Sequence, residues 1–589
     1  MPRPFGARND KNFMEKINIK IDGKEYSADS GQTILEVARE NGIDVPSLCY
    51  HPDLQTRSTC RMCLVEIKGQ KDLKTSCSTP VAENMEVLTE SPRINRARKI
   101  NLELIFAQHQ EECPDCVWFF NCQLLKLAKR FGVKITRFPD RKIQRKITQC
   151  GPIVFDQTKC IDCRNCVDVC PVDFLSVENR GADISIENSQ DEWKECIACG
   201  QCILHCPVGA IEGVGEFEEA QELGIKKKKM RVVQFAPAIR TSIGEEFDLK
   251  PGEIVTGQLV AALRKLGFDK VFDTSVGADF TTFEEAGELL ERLKSGKNLP
   301  AFSSCCPSWV KFVEFYYPEF VPNLCTSRSP QTMLGGVIKN YWAQKEGFKP
   351  EDIEVVSVMP CVAKKYEIKR EEMKINGLFP VDKVLTTREI AYLIKKNKID
   401  LKNIAAGEAD DPFGMPSGAG VIYGASGGVF ESALRTVYFK ATGKNPAGDE
   451  FKRVRGQEGI KINEITIGDK IIKSVVVNGI RNARKMLEEL KKNPQAFQAM
   501  EVMACPGGCI GGGGQPVPTN SQLRKKRAAA LYDIDAKKEF RCAHENPALQ
   551  KVYKEFFVSE EIIRPILHTS YAPKKKSAIM TLKNSKETR

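Results

Sequence analysis

The chain has 589 residues, of which 42% are hydrophobic and 28% charged, and its formal net charge is +11. This length supports several domains with buried cores, and the composition excludes disordered and collagen-like proteins. No apolar run approaches the ~20 residues of a membrane span, and Met1 to Tyr26 contain no apolar signal-peptide core, so a cytoplasmic protein with no membrane span is expected.

The 23 cysteines indicate metal clusters rather than disulfides. Most stand in tight C-x2-C groups, in which neighbouring thiols converge on a metal more readily than they cross-link distant segments. Such soft thiolates favour zinc or iron–sulfur clusters. If 19 cysteines are thiolate ligands and the cluster cores contribute about +10, the net charge falls to about +2. The basic excess therefore gives no reason to expect a nucleic-acid partner.

Residues 16–93 are predicted to form a first domain. A strand is predicted from Lys16, a turn at Asp22-Gly23 and a strand from Leu64 to Ile67, with the helix-like TILEVARENG between the turn and the second strand. Four cysteines have the spacing C-x10-C-x2-C-x13-C and are Cys49, Cys60, Cys63 and Cys77. This arrangement resembles the [2Fe–2S] domain of plant-type ferredoxins, although the plant spacing differs, and a structural zinc site is the alternative.

Residues 94–140 are predicted to hold a small site that contains histidine. An amphipathic segment, Ile94 to Gln108, leads into the spacing H-x3-C-x2-C-x5-C, formed by His109, Cys113, Cys116 and Cys122. The chain has only five histidines, so one placed just before a cysteine group is a candidate ligand. Taken alone, the motif also fits a Cys3His zinc site. Its position between two iron–sulfur motifs favours a His-ligated [4Fe–4S] cluster, in which the nitrogen ligand removes one negative charge.

Residues 141–225 carry an internal repeat, C-x2-C-x2-C-x3-C-P, which is typical of bacterial two-cluster ferredoxins. Each half of such a repeat supplies three cysteines to one [4Fe–4S] cluster, and its fourth reaches the other cluster. The first cluster site is then Cys160, Cys163, Cys166 and Cys206, and the second cluster site is Cys196, Cys199, Cys202 and Cys170. Two zinc knuckles are the alternative. His205, beside a ligand, is expected at the surface.

Residues 229–572 alternate apolar strands with amphipathic helices, which predicts a large α/β domain and, for the whole chain, a multidomain α/β protein. Cysteines follow apolar runs at Cys305-Cys306, at Cys361, and at Cys505 and Cys509. Ligands at the ends of several strands converge on one pocket in open α/β sheets. Gly511 to Gly514 would let the backbone approach a bulky cofactor; a dinucleotide loop is the alternative, but its strand–GxGxxG–helix context is missing.

Residues 1–15 and 573–589 are predicted to be tails, the second polar, basic and solvated.

Three segments of the large domain, SCCPSWVKF, VMPCVAKKYE and EVMACPGGCIGGGGQP, resemble the signature motifs of [FeFe]-hydrogenases. Together with the preceding cysteine motifs, the resemblance covers residues 16–572. The organisation is similar to that of the large clostridial-type enzyme and of the hydrogenase subunit of NAD(P)-linked complexes.

The resemblance implies an H-cluster beside one [2Fe–2S] and three accessory [4Fe–4S] clusters. In the H-cluster, one cysteine bridges a [4Fe–4S] cluster to a diiron azadithiolate unit that carries CO and cyanide. The implied ligands are Cys306, Cys361, Cys505 and Cys509, with Cys509 as the bridge.

The same resemblance nominates contacts for the diiron unit. Lys364 would hold a cyanide, along with the backbone at Ala236-Pro237 and Gln331. Met359 and Met503 would pack around the metals, since thioethers are soft and conformable. Ordinary core packing is the alternative for both methionines.

The proton route of the family maps onto Cys305, which is not a ligand in this scheme, and onto the segment FEEAGELLERL. Glu285 and Glu288 lie three residues apart and so share one predicted helix face. Arg292 would keep the outer carboxylate charged. Without the motif match, a solvated acidic helix face would be the interpretation.

One position departs from the family. Where the relay usually has a serine, this chain has Cys325. Because a thiol hydrogen-bonds more weakly than a hydroxyl, we expect slower proton transfer, or a route through water or Thr326.

These features predict a hydrogenase that interconverts two protons and two electrons with H2. Electrons would come through the accessory clusters from ferredoxin or from flavin- and NAD(P)-binding partner subunits, and maturation proteins would build the diiron unit. The main alternative is a hydrogen sensor that carries the same cofactor without turning over. An iron–sulfur assembly scaffold or a complex I-like electron-transfer subunit accounts for fewer of the residues. Cys150 and Cys542 are expected to be free thiols.

Overall fold

The computed structural model describes residues 16–107, 109, 116–133, 147–178, 183–185, 195–215, 230–447, 450–467, 470–575 and 580–582. Cys113 of the predicted histidine site and the predicted tail at 1–15 lie outside these residues. Within the described ranges, no helix combines the length and the apolar character needed to cross a membrane.

The N-terminal domain is a five-stranded mixed sheet with one helix packed on it. Its elements are β1 (Lys16–Ile21), β2 (Lys24–Asp29), α1 (Ile34–Glu40), β3 (Leu64–Ile67), β4 (Lys74–Thr75) and β5 (Met85–Leu88), in the sheet order β2-β1-β5-β3-β4. The predicted turn joins β1 to β2, with Asp22 and Gly23 both at positive φ, as a type I′ hairpin requires. Thr33 and Glu36 form a capping box that begins α1.

The cluster-binding region that follows is built from short elements around the cysteine motifs. They are α2 (Pro92–Phe106), α3 (Gln123–Arg130), β6 (Ile147–Cys150), β7 (Ile153–Asp156), α4 (Asn165–Val169), β8 (Ser176–Glu178), β9 (Asp183–Ser185), α5 (Gln201–Leu204) and β10 (Ile211–Gly213). Helix α2 is the predicted amphipathic segment. Its fully buried Arg98 donates to the carbonyl oxygens of Met62 and Leu64, which fixes α2 to the N-terminal domain.

The large domain begins with a parallel sheet in the order β12-β11-β14-β15. The elements of this half are β11 (Met230–Phe235), α6 (Thr256–Lys265), β12 (Lys270–Asp273), α7 (Thr274–Ser295), β13 (Ala301–Phe302), α8 (Pro307–Tyr316), α9 (Pro330–Val337), α10 (Ala343–Lys345), β14 (Ile353–Met359), α11 (Ala363–Glu367), β15 (Lys383–Thr386) and α12 (Thr387–Lys396). Its strands are almost wholly buried, as expected for a parallel sheet covered on both faces.

A second sheet, in the order β13-β18-β17-β16, is parallel except for the β16–β17 hairpin. The remaining elements are α13 (Gly418–Ile422), α14 (Gly428–Thr442), β16 (Ile460–Ile467), β17 (Lys470–Asn478), α15 (Ile480–Lys492), β18 (Ala499–Met503), α16 (Ser521–Lys537), α17 (Pro547–Glu555), α18 (Glu560–Leu567) and β19 (Met580–Leu582). The core under this sheet is continuous with that of the two-cluster region. The predicted multidomain α/β class is confirmed.

The C-terminal tail differs from its prediction. Strand β19 pairs antiparallel with β6 in the sheet of the two-cluster region. The amide of Lys574 donates to the Glu314 carbonyl oxygen at 3.1 Å, and its ammonium lies 2.8 Å from Glu372. The prediction of a solvated tail is therefore wrong at these positions, because backbone and charge pairing hold them against the protein.

Helices α7 and α9 pack so closely that Gly277→Ala is expected to destabilise the protein. A Cβ there would overlap the Pro330 carbonyl oxygen and lie 2.9 Å from the Leu334 Cβ, so the helices must separate at a cost of ~1–3 kcal/mol. Gly287→Ala on the same helix meets only the flexible Lys440 ammonium, 3.4 Å away, and should stabilise by ~0.5–1 kcal/mol. Denaturant unfolding followed by circular dichroism measures both. Equal shifts would contradict this account.

Candidate active site and cluster array

Four cysteines from the two sheets of the large domain meet at one place. Cys306 follows β13 and caps α8, Cys361 follows β14, and Cys505 follows β18. Cys509 begins a short 3-10 helix, so Gly511 to Gly514 do not open an α-helix as a dinucleotide loop would. The structure brings the four thiols within electrostatic range of one another.

A buried polar group lies beside these cysteines. The Lys364 ammonium donates to the carbonyl oxygen of Cys305 at 3.0 Å and to Glu367 at 2.9 Å. Although burial opposes its charge, the Glu367 carboxylate raises the pKa of Lys364. Gln331 donates to Glu367 at 2.6 Å, and its amide oxygen is buried with no hydrogen-bond partner among the described residues. Because orphaned buried polar atoms are rare, this oxygen indicates room for a further polar group here.

The backbone at Ala236-Pro237 is already engaged. The Ala236 amide donates to the Val358 carbonyl oxygen at 2.9 Å, which extends the β11–β14 ladder. Pro237 has no N–H, and its carbonyl oxygen accepts from Arg240. These hydrogen bonds hold the backbone at Ala236-Pro237 in place, and its nomination as a contact of the diiron unit stays a prediction.

The two nominated methionines have different surroundings. Both are buried, at 2% exposure. Met503 packs in a small cluster with Cys305 and Cys509. Met359 belongs to the general core of the parallel sheet, which fits the packing alternative.

Helix α7 presents two glutamates with different environments. Glu288 accepts from Arg292 at 2.5 Å. Glu285 is buried, one of its oxygens has no hydrogen-bond partner among the described residues, and Cys305 is an electrostatic neighbour. Burial, and secondarily the Glu288 charge, raises the pKa of Glu285 to about 8. A buried carboxyl that keeps its proton at neutral pH is suited to give and take protons.

Cys325 is buried beside both glutamates. Thr326 donates to Glu288 instead, from its amide at 2.9 Å and from its hydroxyl at 3.2 Å. It makes no hydrogen bond to Glu285 among the described residues, so it lies on the outer side of the route.

Sequence reasoning missed an extension of this network. The Thr326 hydroxyl also lies 2.9 Å from Nδ1 of His568, whose Nε2 lies 2.9 Å from Glu284. The Tyr553 hydroxyl donates to the same Glu284 carboxylate. The only signal for it in the sequence was that Glu284 adjoins Glu285; His568, 284 residues away, gave none.

The two-cluster region contains two cavities whose cysteines fall into the crossed sets predicted from the repeat. One is lined by Cys160, Cys163, Cys166 and Cys206. The other is lined by Cys170, Cys196, Cys199 and Cys202, and also by Cys150.

The N-terminal thiols lie in two hydrogen-bonded pairs, Cys49 with Cys60 and Cys63 with Cys77. In the histidine motif, Nδ1 of His109 lies 3.2 Å from the carbonyl oxygen of Lys159, next to the first cluster site. The Cys122 sulfur accepts from the Leu125 amide and caps α3, and the Cys116 thiol faces Glu212 at 3.7 Å.

The sites follow one another across domain boundaries. His51, near the N-terminal thiols, packs on His205 with ring centroids 4.4 Å apart. His205 is buried, contrary to the prediction, because it bonds the Gln201 carbonyl oxygen; burial lowers its pKa to about 3. At the other end, the Cys505 sulfur lies 4.0 Å from the carbonyl oxygen of Cys199, in the second cluster site.

Family models match five segments of the chain. The iron only hydrogenase large subunit, C-terminal domain, matches residues 229–513, and the iron hydrogenase small subunit matches residues 521–574. A 2Fe-2S iron-sulfur cluster binding domain matches residues 14–92, an NADH-ubiquinone oxidoreductase-G iron-sulfur binding region matches residues 98–137, and a 4Fe-4S dicluster domain matches residues 159–211.

Similar proteins extend over nearly the whole chain. It is 41% identical to the NADP-reducing hydrogenase subunit HndD of Solidesulfovibrio fructosivorans, over 95% of this chain and 99% of that protein. It is 37% identical to iron hydrogenase 1 of Clostridium pasteurianum, over 94% and 99%. A solved structure of a variant of apo [FeFe]-hydrogenase HydA1 from Chlamydomonas reinhardtii is 37% identical, and the match covers 60% of this chain and 98% of that chain with a TM-score of 0.55.

The chain therefore belongs to the iron-only hydrogenase family. It is an iron hydrogenase, an oxidoreductase of hydrogen metabolism with [2Fe–2S] and [4Fe–4S] binding domains ahead of its hydrogenase domain.

Glu285→Gln is expected to become more stable, relative to the wild type, as pH rises. In the unfolded chain the pKa of this glutamate is about 4.3. In the folded protein it is about 8. Between these values the folded state keeps a proton that the unfolded state has lost. The wild-type free energy of unfolding therefore falls by up to about 1.4 kcal/mol per pH unit from this group alone, a loss the amide escapes.

Denaturant unfolding of both proteins at about pH 5 and about pH 8 measures the difference. Glu291→Gln, exposed on the same helix, is the matched control and should show a constant difference. A Glu285→Gln difference that stays constant across this range would contradict a buried, protonated carboxyl.

Proposed function

We propose that this chain catalyses the reversible reaction of two protons and two electrons to H2 at an H-cluster held by Cys306, Cys361, Cys505 and Cys509. The observation that carries the proposal is the pairing of these convergent thiols with a buried carboxyl, Glu285, beside the free thiol of Cys305. An electron-transfer module or a scaffold needs no such proton-bearing group next to its cysteines.

The side chains that line the pocket suit the chemistry of the diiron unit. Lys364 supplies a buried ammonium that can donate to a polar diatomic ligand, and Gln331 lies beside it, with its amide N–H donating to Glu367. Met503 supplies a soft side chain next to Cys509. When bound, the H-cluster supplies the two-electron centre at which protons are reduced or H2 is oxidised.

The proton route runs from Glu288 at its outer end to Glu285 and then to Cys305. Arg292 holds the Glu288 carboxylate in place, so that it faces Thr326 and, through Thr326, His568 on the outer side of the route. Cys325, buried beside both carboxyls, is the relay side chain in this route. Glu285, neutral at pH 7, hands its proton to Cys305 and is refilled from outside.

Electrons enter through the accessory sites. One [2Fe–2S] cluster at Cys49, Cys60, Cys63 and Cys77, and one His-ligated [4Fe–4S] cluster at His109, Cys113, Cys116 and Cys122, feed the first and then the second cluster site. The pairing of the N-terminal thiols suits two irons, each taking two thiolates. The likeness to a subunit of an NADP-reducing hydrogenase supports flavin- and NAD(P)-binding partner subunits as donors, with ferredoxin as the other class. Maturation proteins build the diiron unit.

A hydrogen sensor is the second candidate, and Cys325 favours it. A thiol between the two glutamates slows the relay, as a protein that binds the cofactor without turning over would require. The intact Cys305, Glu285 and Glu288 favour the enzyme.

The purified chain, reconstituted anaerobically and loaded with synthetic diiron cofactor, is expected to evolve H2 from reduced viologen. Cys305→Ala should lower the rate by about a hundred- to ten-thousand-fold, because the last proton-bearing group is lost. Cys542→Ala, which removes a buried thiol from the C-terminal region, is the control and should stay near the wild-type rate. Bound cofactor with little turnover in the wild type would favour the sensor. A chain that retains no cofactor would contradict both candidates.

Cys325→Ser is expected to raise the rate several-fold, since a hydroxyl is the better relay between the two carboxyls. Cys325→Ala should lower it, and Thr326→Val should cost less because Thr326 lies outside the Glu285–Glu288 step. The solvent deuterium isotope effect on H2 evolution should shrink in Cys325→Ser. A larger loss in Thr326→Val than in Cys325→Ala would place the route through Thr326 instead.

A further inference from the structure

The cavity of the second cluster site is lined by five cysteines, one more than a [4Fe–4S] cluster takes as ligands. The fifth is Cys150, the last residue of β6, which pairs with Ile153 across the β6–β7 hairpin. The cavity of the first cluster site is lined by its four predicted cysteines and by no further cysteine among the described residues. Cys150 lies outside every ligand motif, so its place in this wall calls for another role.

Cys150 makes a specific contact there. Its side chain hydrogen-bonds the side chain of Cys196, a predicted ligand of the second site. A ligand thiolate has no proton to give, so with a cluster bound the Cys150 S–H is the donor and the Cys196 sulfur the acceptor.

The Cys196 acceptor is held in place from the hydrogenase domain. The hydroxyl of Tyr316 accepts from the Glu195 amide at 2.6 Å and donates to the Glu195 carbonyl oxygen at 2.8 Å. The Glu195 carboxylate pairs with Lys311 at 2.7 Å, and both side chains are buried. The opposite charges of this ion pair offset each other only in part at the Cys196 sulfur, and the Cys150 thiol adds a direct hydrogen bond to it.

The internal repeat provides a comparison within the same molecule. Cys160 is the equivalent of Cys196, and both sulfurs accept from the amide two residues on, Asp162 or Ala198, at 3.4 Å. The side chains break this symmetry. The Asp162 carboxyl lies 3.6 Å from the Cys160 sulfur, whereas Cys150 faces the Cys196 sulfur.

Hydrogen bonds to sulfur and local charge both set the potential of an iron–sulfur cluster. A donor draws charge from the ligand sulfur and stabilises the reduced cluster, while a carboxylate disfavours the added electron. We propose that Cys150, opposed by Asp162 in the other half of the repeat, makes the second cluster site the more easily reduced of the two. This inference rests on the proposed function, which assigns a [4Fe–4S] cluster to each cavity.

The proposed difference in potential suits the positions of the two cluster sites. The second site adjoins the hydrogenase pocket, where Gly200 meets Gly513, and the first site faces the N-terminal domains through His205 and His51. A higher potential at the second site therefore favours movement of each electron toward the pocket. Cys150 acts through Cys196 and is a positioning residue, not a ligand.

The test is a redox titration followed by EPR on the full chain carrying its iron–sulfur clusters and no diiron unit. The measurement is made at the potential where the wild-type [4Fe–4S] cluster of the second site is half reduced. There, Cys150→Ala should lower the ratio of reduced to oxidised cluster about three- to tenfold. A tenfold change corresponds to about 59 mV for one electron. Cys150→Ser keeps a donor and should match or exceed the wild type. Asp162→Asn should raise the ratio of a different [4Fe–4S] cluster. Cys542→Ala is the control and should leave every cluster unchanged.

Three results would overturn the inference. They are a Cys150→Ala titration that superimposes on the wild type, a fall in Cys150→Ser equal to that in Cys150→Ala, and the loss of about four iron atoms in Cys150→Ala, which would make Cys150 a ligand. Failure of the proposed function looks different, because the wild type itself would then lack the iron and the EPR signals of the two sites.

Discussion

The close contact between two glycine-containing loops is the constraint on which both the array and the pocket depend. A Cβ on Gly513 would lie 2.6 Å from the Cα of Gly200, and a Cβ on Gly200 would lie 2.7 Å from the Val362 side chain. Gln201 fixes the register by donating to the Gly511 carbonyl oxygen at 2.9 Å. Any side chain at this contact would separate the second cluster site from the ligand loop of the pocket. On the proposed function, electron transfer depends on the distance between these two sites, which the glycines keep short through close packing.

The glycine run also shows what a sequence leaves out. Gly511 to Gly514 predicted a close backbone approach to a cofactor, and in the structure the run also approaches other protein segments closely. Gly512 packs against the Pro360 carbonyl oxygen, and a Cβ on Gly514 would lie 2.7 Å from the Thr386 Cβ. The run thus seats the Cys505–Cys509 loop against the segment that carries Cys361. A glycine indicates that space at its position is short, while the segments that fill this space lie far apart in the chain.

Local chemistry was predictable and distant pairing was not. The crossed ligand sets follow from cysteine spacing, because three cysteines spaced C-x2-C-x2-C are close enough to bind one cluster while the fourth reaches the other. The two cavities contain those sets. The sharing of one face of α7 by Glu285 and Glu288 follows from the helical period. By contrast, the pairing of Lys311 with Glu195 and of His568 with Glu284 joins residues far apart in the chain. Each of these side chains would suit a solvated surface equally well, and only tertiary packing selects the partner.

Two buried carboxyls of the hydrogenase domain, those of Asp535 and Glu285, have opposite surroundings. Asp535 is buried, yet Arg435 and Arg541 outweigh its desolvation and lower its pKa to about 2, so its charge is fully satisfied. Glu285 is also buried, but one of its oxygens has no hydrogen-bond partner among the described residues. Since an unsatisfied polar group costs stability, a protein able to pair Asp535 so thoroughly tolerates Glu285 only where protonation is useful. Its neighbour Cys305 adjoins Cys306 in the chain. On the proposed function, one peptide bond then separates the end of the proton route from a cluster ligand, so protons and electrons meet without any movement of the main chain.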